Sequence, residues 1–246
     1  MKSYSDLLFG SILAAGVVLG SGAALAQNQG VAPTANDLVN ADQHPGEWLL
    51  PTGDYANHRF TTLKQINVDT AHNLHPVWQF STGVLRGHEG GPLIVGDVMY
   101  FATPFPNNVF ALDLNHNGRV LWKYEPTQNP NVIPEMCCDT VNRGVAYGDG
   151  KIFLHQADNK VVALDAKTGK PVWTTETGNW KIGETGTGAP QVIADHVFVG
   201  ISGGEFGVRG RMVALNVKDG KIAWVAYSSG PDKDVRIDPR EDDRHG

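Results

Sequence analysis

The feature that most constrains this chain is a repeat. Three stretches, "ALDLNHNGRVLW" at 111–122, "ALDAKTGKPVW" at 163–173 and "ALNVKDGKIAW" at 214–224, share one layout, and their terminal residues Trp122, Trp173 and Trp224 recur every 51 residues. Each reads as an apolar strand, a tight turn and a second strand ending in Trp. The turns, around Asn117-Gly118, Thr168-Gly169 and Asp219-Gly220, carry residues that accept the left-handed backbone of short hairpins. Ahead of each stretch lies another hairpin: "PLIVGDVMYFAT", "GVAYGDGKIFLHQ" and "APQVIADHVFVGIS", with turns predicted at Gly96-Asp97, Gly148–Gly150 and Ala194-Asp195. Four strands per period of this length predict an all-β fold, a β-propeller of four-stranded antiparallel blades. The recurrent Trp is read as a large ring packed between neighbouring blades. Trp78, in "LHPVWQFSTG", is read as the end of a less regular blade.

Three full repeats cannot close a circle, since propellers need about 4–8 blades. The chain then runs into "SSGPDKDVRIDPREDDRHG", a polar stretch with no closing strand. Residues 27–246 are therefore expected to be the front part of a longer propeller. The composition agrees: 29 glycines, 14 prolines and only 19% charged residues suit short strands and tight turns. The net charge of −6 argues against a nucleic-acid partner, because phosphate binding needs a basic face. At the start, Lys2, the apolar run Leu7–Leu19 and the small-residue site Ala24-Leu25-Ala26 have the layout of a secretory signal peptide over residues 1–26, cleaved after Ala26. That run is too short to span a bilayer, which takes about 20 residues. The mature chain is expected to be exported, soluble and periplasmic, in an oxidising space where thiols pair.

Both cysteines, Cys137 and Cys138, lie side by side in "NVIPEMCCDTVNRG". A disulfide stabilises by closing a loop, and neighbours close almost none. Their Cα atoms stand ~3.8 Å apart, below the roughly 4.4–6.8 Å of ordinary bridges. From the residues alone two readings stand: an incidental reduced pair, or a strained ring present for its own sake.

The repeat A-L-D/N-x-x-x-G-K-x-x-W resembles the tryptophan-docking motif of the pyrroloquinoline quinone (PQQ) dehydrogenases, a family of eight-bladed propellers. "WLLPTGDYANHRFTTLKQIN", "STGVLRGHEGGPLIVGDVMY", "PNVIPEMCCDTVNRG" and "GISGGEFGVRG" are similar to the N-terminal part of the methanol dehydrogenase large subunit, its lanthanide-dependent branch in particular. The resemblance runs from about Trp48 to Pro239. It implies that Cys137 and Cys138 form a disulfide ring lying against the flat face of PQQ, for which a polarizable plate is a suitable wall. It implies that Glu89 and Arg143 meet the PQQ carboxylates and their surroundings, where a guanidinium offers a planar fork. Thr187 becomes a hydroxyl donor to the cofactor. Ser202, Gly203 and Gly204 would approach a carboxylate through hydroxyl and backbone N–H, glycine permitting the close approach. Glu205 would ligate one lanthanide(III) or Ca²⁺ ion, hard cations that prefer oxygen.

The implied activity is oxidation of a primary alcohol to an aldehyde, with electrons passed to a c-type cytochrome. In the family the catalytic aspartate and the remaining metal ligands lie further downstream, so no residue of this chain is nominated as catalytic. By itself the chain is expected to be inactive. Asp232, Asp234, Asp238, Asp242 and Asp243 match no motif and are not substitutes. The resemblance allows a homodimer of the full-length parent. Two rivals are a non-catalytic propeller scaffold of envelope assembly and a calcium-type PQQ dehydrogenase for longer alcohols. A scaffold needs the blade tryptophans but neither "CCDTVNR" nor "SGGEFGVRG". Other chemistries lack their signatures: the Gly-Lys pairs at 150–151, 169–170 and 220–221 are not followed by Ser or Thr as a phosphate loop requires, and no C-x-x-C-H is present for haem. The nine histidines lack metal-ligand spacing and are expected mostly at the surface or in loops.

Overall fold

The computed structural model describes residues 32–236; the predicted signal peptide 1–26 and Asp238, Asp242 and Asp243 lie outside them. Among the described residues the strands form three four-stranded antiparallel sheets. The first holds β1 (Leu93–Val95), β2 (Val98–Ala102), β3 (Val109–Asp113) and β4 (Arg119–Tyr124). The second holds β5 (Val145–Gly148), β6 (Lys151–His155), β7 (Lys160–Asp165) and β8 (Pro171–Glu176). The third holds β9 (Gln191–Ile193), β10 (His196–Gly200), β11 (Arg211–Asn216) and β12 (Ile222–Tyr227). In each, strand order follows chain order, as expected of propeller blades. The chain doubles back where the backbone turns left-handed: at Gly96, Asp149-Gly150 and Ala194 between first and second strands, and at Asn117-Gly118, Gly169 and Gly220 between third and fourth.

The repeat motif acquires a physical meaning from the pairing. Ala111, Ala163 and Ala214 stand opposite Trp122, Trp173 and Trp224 on the adjacent strand, and the register slips immediately after each alanine. A small residue leaves the indole room, and the bulge adds local twist. The first two indoles then reach the next sheet. Trp122 Nε1–H donates to the Ala166 carbonyl at 2.9 Å and Trp173 Nε1–H to that of Val217 at 3.0 Å. The rings cover the turn glycines there: a Cβ on Gly169 would lie 2.6 Å from Trp122, and one on Gly220 2.5 Å from Trp173. Glycine at these turns therefore provides both the positive φ and a flat seat. A second-strand aromatic flanks each ring: Tyr100, Phe153 or Phe198, with centroids 5.6–5.8 Å away.

Trp78 sits on Gly118 in the same manner, the added Cβ falling 2.7 Å from its ring. The irregular blade expected around it does not form, however. No strand runs between residues 51 and 92, and Phe60, Val68, Val77 and Leu85 are exposed. A strand needs partners for its ladder, and the described residues supply none to this segment. At the other end, Trp224 is covered by the guanidinium of Arg236, 5.0 Å from the ring centroid.

The core runs without a break through all three sheets, from Leu93 and Val109 through Ile152 and Leu164 to Val197 and Leu215. Strand β5 touches both β1 and β9, so the first strands lie innermost and the fourth outermost. Before the sheets, helix α1 (Ala35–Val39) is closed by a capping box between Thr34 and Asp37 and sends Leu38 into the core.

The seat is testable. Gly169 and Gly150 have nearly equal φ, +69° and +68°, but only Gly169 lies under an indole. Gly169→Ala is expected to lose about 1–3 kcal/mol more than Gly150→Ala in urea unfolding, the range for overpacking a filled site. Equal losses would show that the seat is dispensable.

Candidate cofactor site

Because the strands alternate, the loops joining second to third strands and the loops joining one sheet to the next all leave the blades at the same end. All nine predicted residues belong there. Glu89 leads into β1; Cys137, Cys138 and Arg143 lie between β4 and β5; Thr187 lies between β8 and β9; Ser202 to Glu205 lie between β10 and β11.

Four of them form one continuous line of contacts. Arg143 Nη2 and Glu89 Oε2 pair at 3.2 Å, both side chains about half exposed. The Arg143 backbone N–H donates to the Thr187 carbonyl at 3.0 Å. The Thr187 hydroxyl lies 2.6 Å from that of Ser202, and Ser202 N–H donates to the Thr185 carbonyl at 2.9 Å. Gly203 has φ +112°, and a Cβ there would fall 2.1 Å from the Gly183 carbonyl oxygen, so only glycine fits this bend. It opens the short 3-10 helix Gly204–Phe206, whose first N–H groups have no partner within the helix. Glu205 is exposed on this loop and is not joined to the line of contacts.

Cys137 and Cys138 are joined to each other by a disulfide, which decides between the two readings left open by the residues. Their loop is held from both sides. Val132 and Met136 pack with Ala157, Phe105 and Trp180, and the Thr140 carbonyl accepts from Phe105 N–H at 2.9 Å. Asp139, at φ +56°, takes Arg86 Nη1 at 3.2 Å. Residues 86–89 are thus clipped to residues 139–143 by two ion pairs of opposite sense, Arg86–Asp139 and Glu89–Arg143. Glu89 and Arg143 also line a cleft of about 910 Å³ with Trp48, Arg59, Ala189 and Gln191.

The donor set suits a planar polycarboxylate quinone such as PQQ. It offers a guanidinium fork, two hydroxyls, free N–H groups at a glycine bend and a polarizable sulfur pair. In addition, Thr140 Oγ1 and Thr185 Oγ1 are buried in the same loops without a hydrogen-bond partner, a costly state that a polar ligand would relieve. A metal is served less fully. No group of three or more His, Cys, Asp or Glu gathers among the described residues, so Glu205 would be one oxygen ligand and the others must come from elsewhere.

Beneath these loops lies a polar network that sequence reading missed. His155 departs from the expectation for the histidines: it is buried at the end of β6, with Nε2 2.7 Å from Asn159 Oδ1. The Thr177 hydroxyl donates to the same Asn159 side chain at 2.9 Å. Asn142 Nδ2 donates to the His155 carbonyl, and Asn142 Oδ1 accepts from Gly144 N–H, both at 2.9 Å. The signal available in the sequence was the polar run "HQADN" straight after the apolar strand "IFL". Spacing also needs tertiary context at Gly200-Ile201-Ser202-Gly203-Gly204, which fits the G-x-S-x-G of a serine-hydrolase elbow. Ser202 bonds a threonine hydroxyl, not an imidazole, so the match carries no triad.

The family described as "PQQ: Glucose/ethanol/alcohol dehydrogenase, beta-propeller domain" matches residues 48–242. The chain is similar to a lanthanide-dependent methanol dehydrogenase of Methylorubrum extorquens, 52% identical over 222 residues that make up 88% of this chain and 37% of that protein. It is similar to methanol dehydrogenase (cytochrome c) subunit 1 of Paracoccus denitrificans, 47% identical over 211 residues, 83% of this chain and 33% of that subunit. A solved europium-containing methanol dehydrogenase matches it with a TM-score of 0.82 at 47% identity, over 86% of this chain and 37% of that one. The chain thus spans about a third of the length of these relatives.

Burial pushes the His155 pKa below its ordinary value of 6.5. The unfolded chain therefore takes up a proton near that pH that the folded chain refuses, and stability present above pH 6.5 is lost as pH falls below it. Between pH 7 and 5 the unfolding free energy should drop by up to about 1.4 kcal/mol per pH unit from this residue. His155→Gln should flatten that slope; an unchanged slope would refute the assignment.

Proposed function

The chain belongs to the PQQ-type glucose/ethanol/alcohol dehydrogenase β-propeller family, and from that membership we propose that it forms the first blades of a PQQ-dependent alcohol dehydrogenase of the methanol-oxidising type. The observation that carries the reading is the line from Glu89 through Arg143 and Thr187 to Ser202, at the end of the blades that also bears the Cys137–Cys138 disulfide. When bound, PQQ supplies an ortho-quinone that accepts two electrons from the alcohol. This chain's part is to hold it. Arg143 neutralises and orients a carboxylate, with Glu89 keeping the guanidinium in place. Thr187 and Ser202 present hydroxyls, and Gly203 and Gly204 allow backbone N–H groups to approach. The disulfide forms a flat wall that excludes water from one face, and Glu205 contributes one oxygen to the metal.

A lanthanide(III) is proposed in preference to Ca²⁺ because lanthanide- and europium-type enzymes are among the relatives it resembles. Both cations favour oxygen donors. A c-type cytochrome is proposed as the electron acceptor on the strength of the Paracoccus denitrificans relative's name. Periplasmic location rests on the signal-peptide pattern of residues 1–26; a mature protein starting at Gln27 on N-terminal sequencing would support it, and one retaining Met1 would overturn it.

The test uses the full-length protein purified after growth with lanthanum. Quinone absorbance, stoichiometric lanthanide by mass spectrometry and dye-linked methanol oxidation are expected together, with no turnover by residues 27–246 alone. A full-length protein that binds neither PQQ nor metal would leave a non-catalytic scaffold as the better account. Arg143→Lys should weaken PQQ retention about 10- to 100-fold, the usual worth of a hydrogen bond to a charged group.

A further inference from the structure

We propose that Glu184 and Arg211 are a positioning pair for the cofactor site, fixing the loops of Thr187 and of Ser202–Glu205 relative to each other without touching the cofactor. The proposal rests on the PQQ reading above. The pair is bidentate: Arg211 Nη1 donates to Glu184 Oε1 at 2.7 Å and Nη2 to Oε2 at 3.1 Å. Both side chains are only slightly exposed, Arg211 at 11% and Glu184 at 14%, and among the described residues no other ion pair has both partners below 15%. Such a planar fork fixes orientation as well as distance.

Location gives the pair its consequence. Glu184 directly precedes Thr185, which is bridged to Ser202. Arg211 is the first residue of β11, immediately after the loop that carries Ser202 and Glu205. Each end is further tied down. Arg211 Nη2 donates to the Thr177 carbonyl at 2.8 Å, Asn179 N–H to Glu184 Oε2 at 2.6 Å, and Asn159 Nδ2 to the Glu184 carbonyl at 3.3 Å. Gly178 closes over the group: a Cβ there would fall 2.1 Å from Asn159 Nδ2 and 2.9 Å from both Arg211 Nη2 and Glu184 Oε2. The sheets are already joined by Trp122 and Trp173, so blade assembly does not require this pair. Beyond the pair, a Thr185–Ser202 bridge, one hydroxyl–hydroxyl contact and the packing of Gly203, Phe206 and Val208 around Gly183 join the two loops, and none of these is a charge-assisted fork.

The experiment compares Glu184→Gln, Arg211→Lys and a control, Val161→Ala, in the full-length holoprotein. Val161 is fully buried in β7, and its side chain makes no hydrogen bond to any of these groups, so its truncation lowers stability without removing one of their bonds. The rate of PQQ loss is followed by quinone absorbance after dilution, beside the thermal midpoint. Both pair variants should lose PQQ roughly tenfold faster or more, as expected when a charge-assisted bond is broken, and should shift the absorbance of the bound quinone. Val161→Ala should lower the midpoint while leaving PQQ loss and spectrum unchanged. If Glu184→Gln fails to fold, Arg211→Lys, which keeps the charge but not the fork, carries the same test. PQQ loss equal to wild type in the pair variants, or equally fast in Val161→Ala, overturns the proposal. A wild-type protein that binds no PQQ overturns instead the functional reading beneath it.

Discussion

The structure depends on one contact made repeatedly: an indole from the outermost strand of a sheet lying on the turn glycine of the next. Trp122 and Trp173 meet Gly169 and Gly220 in this way, each with its Nε1–H on a backbone carbonyl, and Trp78 meets Gly118 likewise although its own segment forms no strand. The contact is large, apolar and directional, because the hydrogen bond fixes where the ring must sit. Each sheet is thereby oriented by its neighbour before any loop is considered. Alanine opposite each tryptophan and an aromatic on the second strand complete the pocket, so the repeat is a packing unit and not only a spacing.

That arrangement leaves one end of the blades free for polar loops. Their residues come from positions far apart in sequence, and a rigid scaffold is what lets Glu89, Arg143, Thr187 and Ser202 come into line. Burying polar groups is tolerated only when they are bonded. The network of His155, Asn159, Thr177, Glu184 and Arg211 meets that condition almost throughout; the exception within it is His155 Nδ1, buried with no partner. In the loops themselves, the hydroxyls of Thr140 and Thr185 are likewise buried with no partner.

Parts of this were legible in the chain and parts were not. The hairpins were, because Gly96, Asn117-Gly118, Gly150 and Gly169 are turn residues with a local conformational reason to be there. The segment around Trp78 was misread: its apolar pattern suggests a blade, but a strand forms only where another strand is available to pair with it. Most of the described histidines are exposed as expected, and His155 is the buried exception, because a lone histidine carries no local sign of whether its surroundings are solvent or protein.

By itself the sequence determined the period, the turns, the tryptophan that ends each repeat and the adjacency of the two cysteines, because all of these depend on neighbours a few residues away. Only the tertiary structure decided that Arg143 faces Glu89, that Thr187 reaches Ser202 and that Glu184 grips Arg211. Those pairs are separated by 15 to 54 residues, and a side chain's partner at such a distance is set by how the blades stack. The stacking is a collective result of the docked indoles, and no single stretch of sequence contains it.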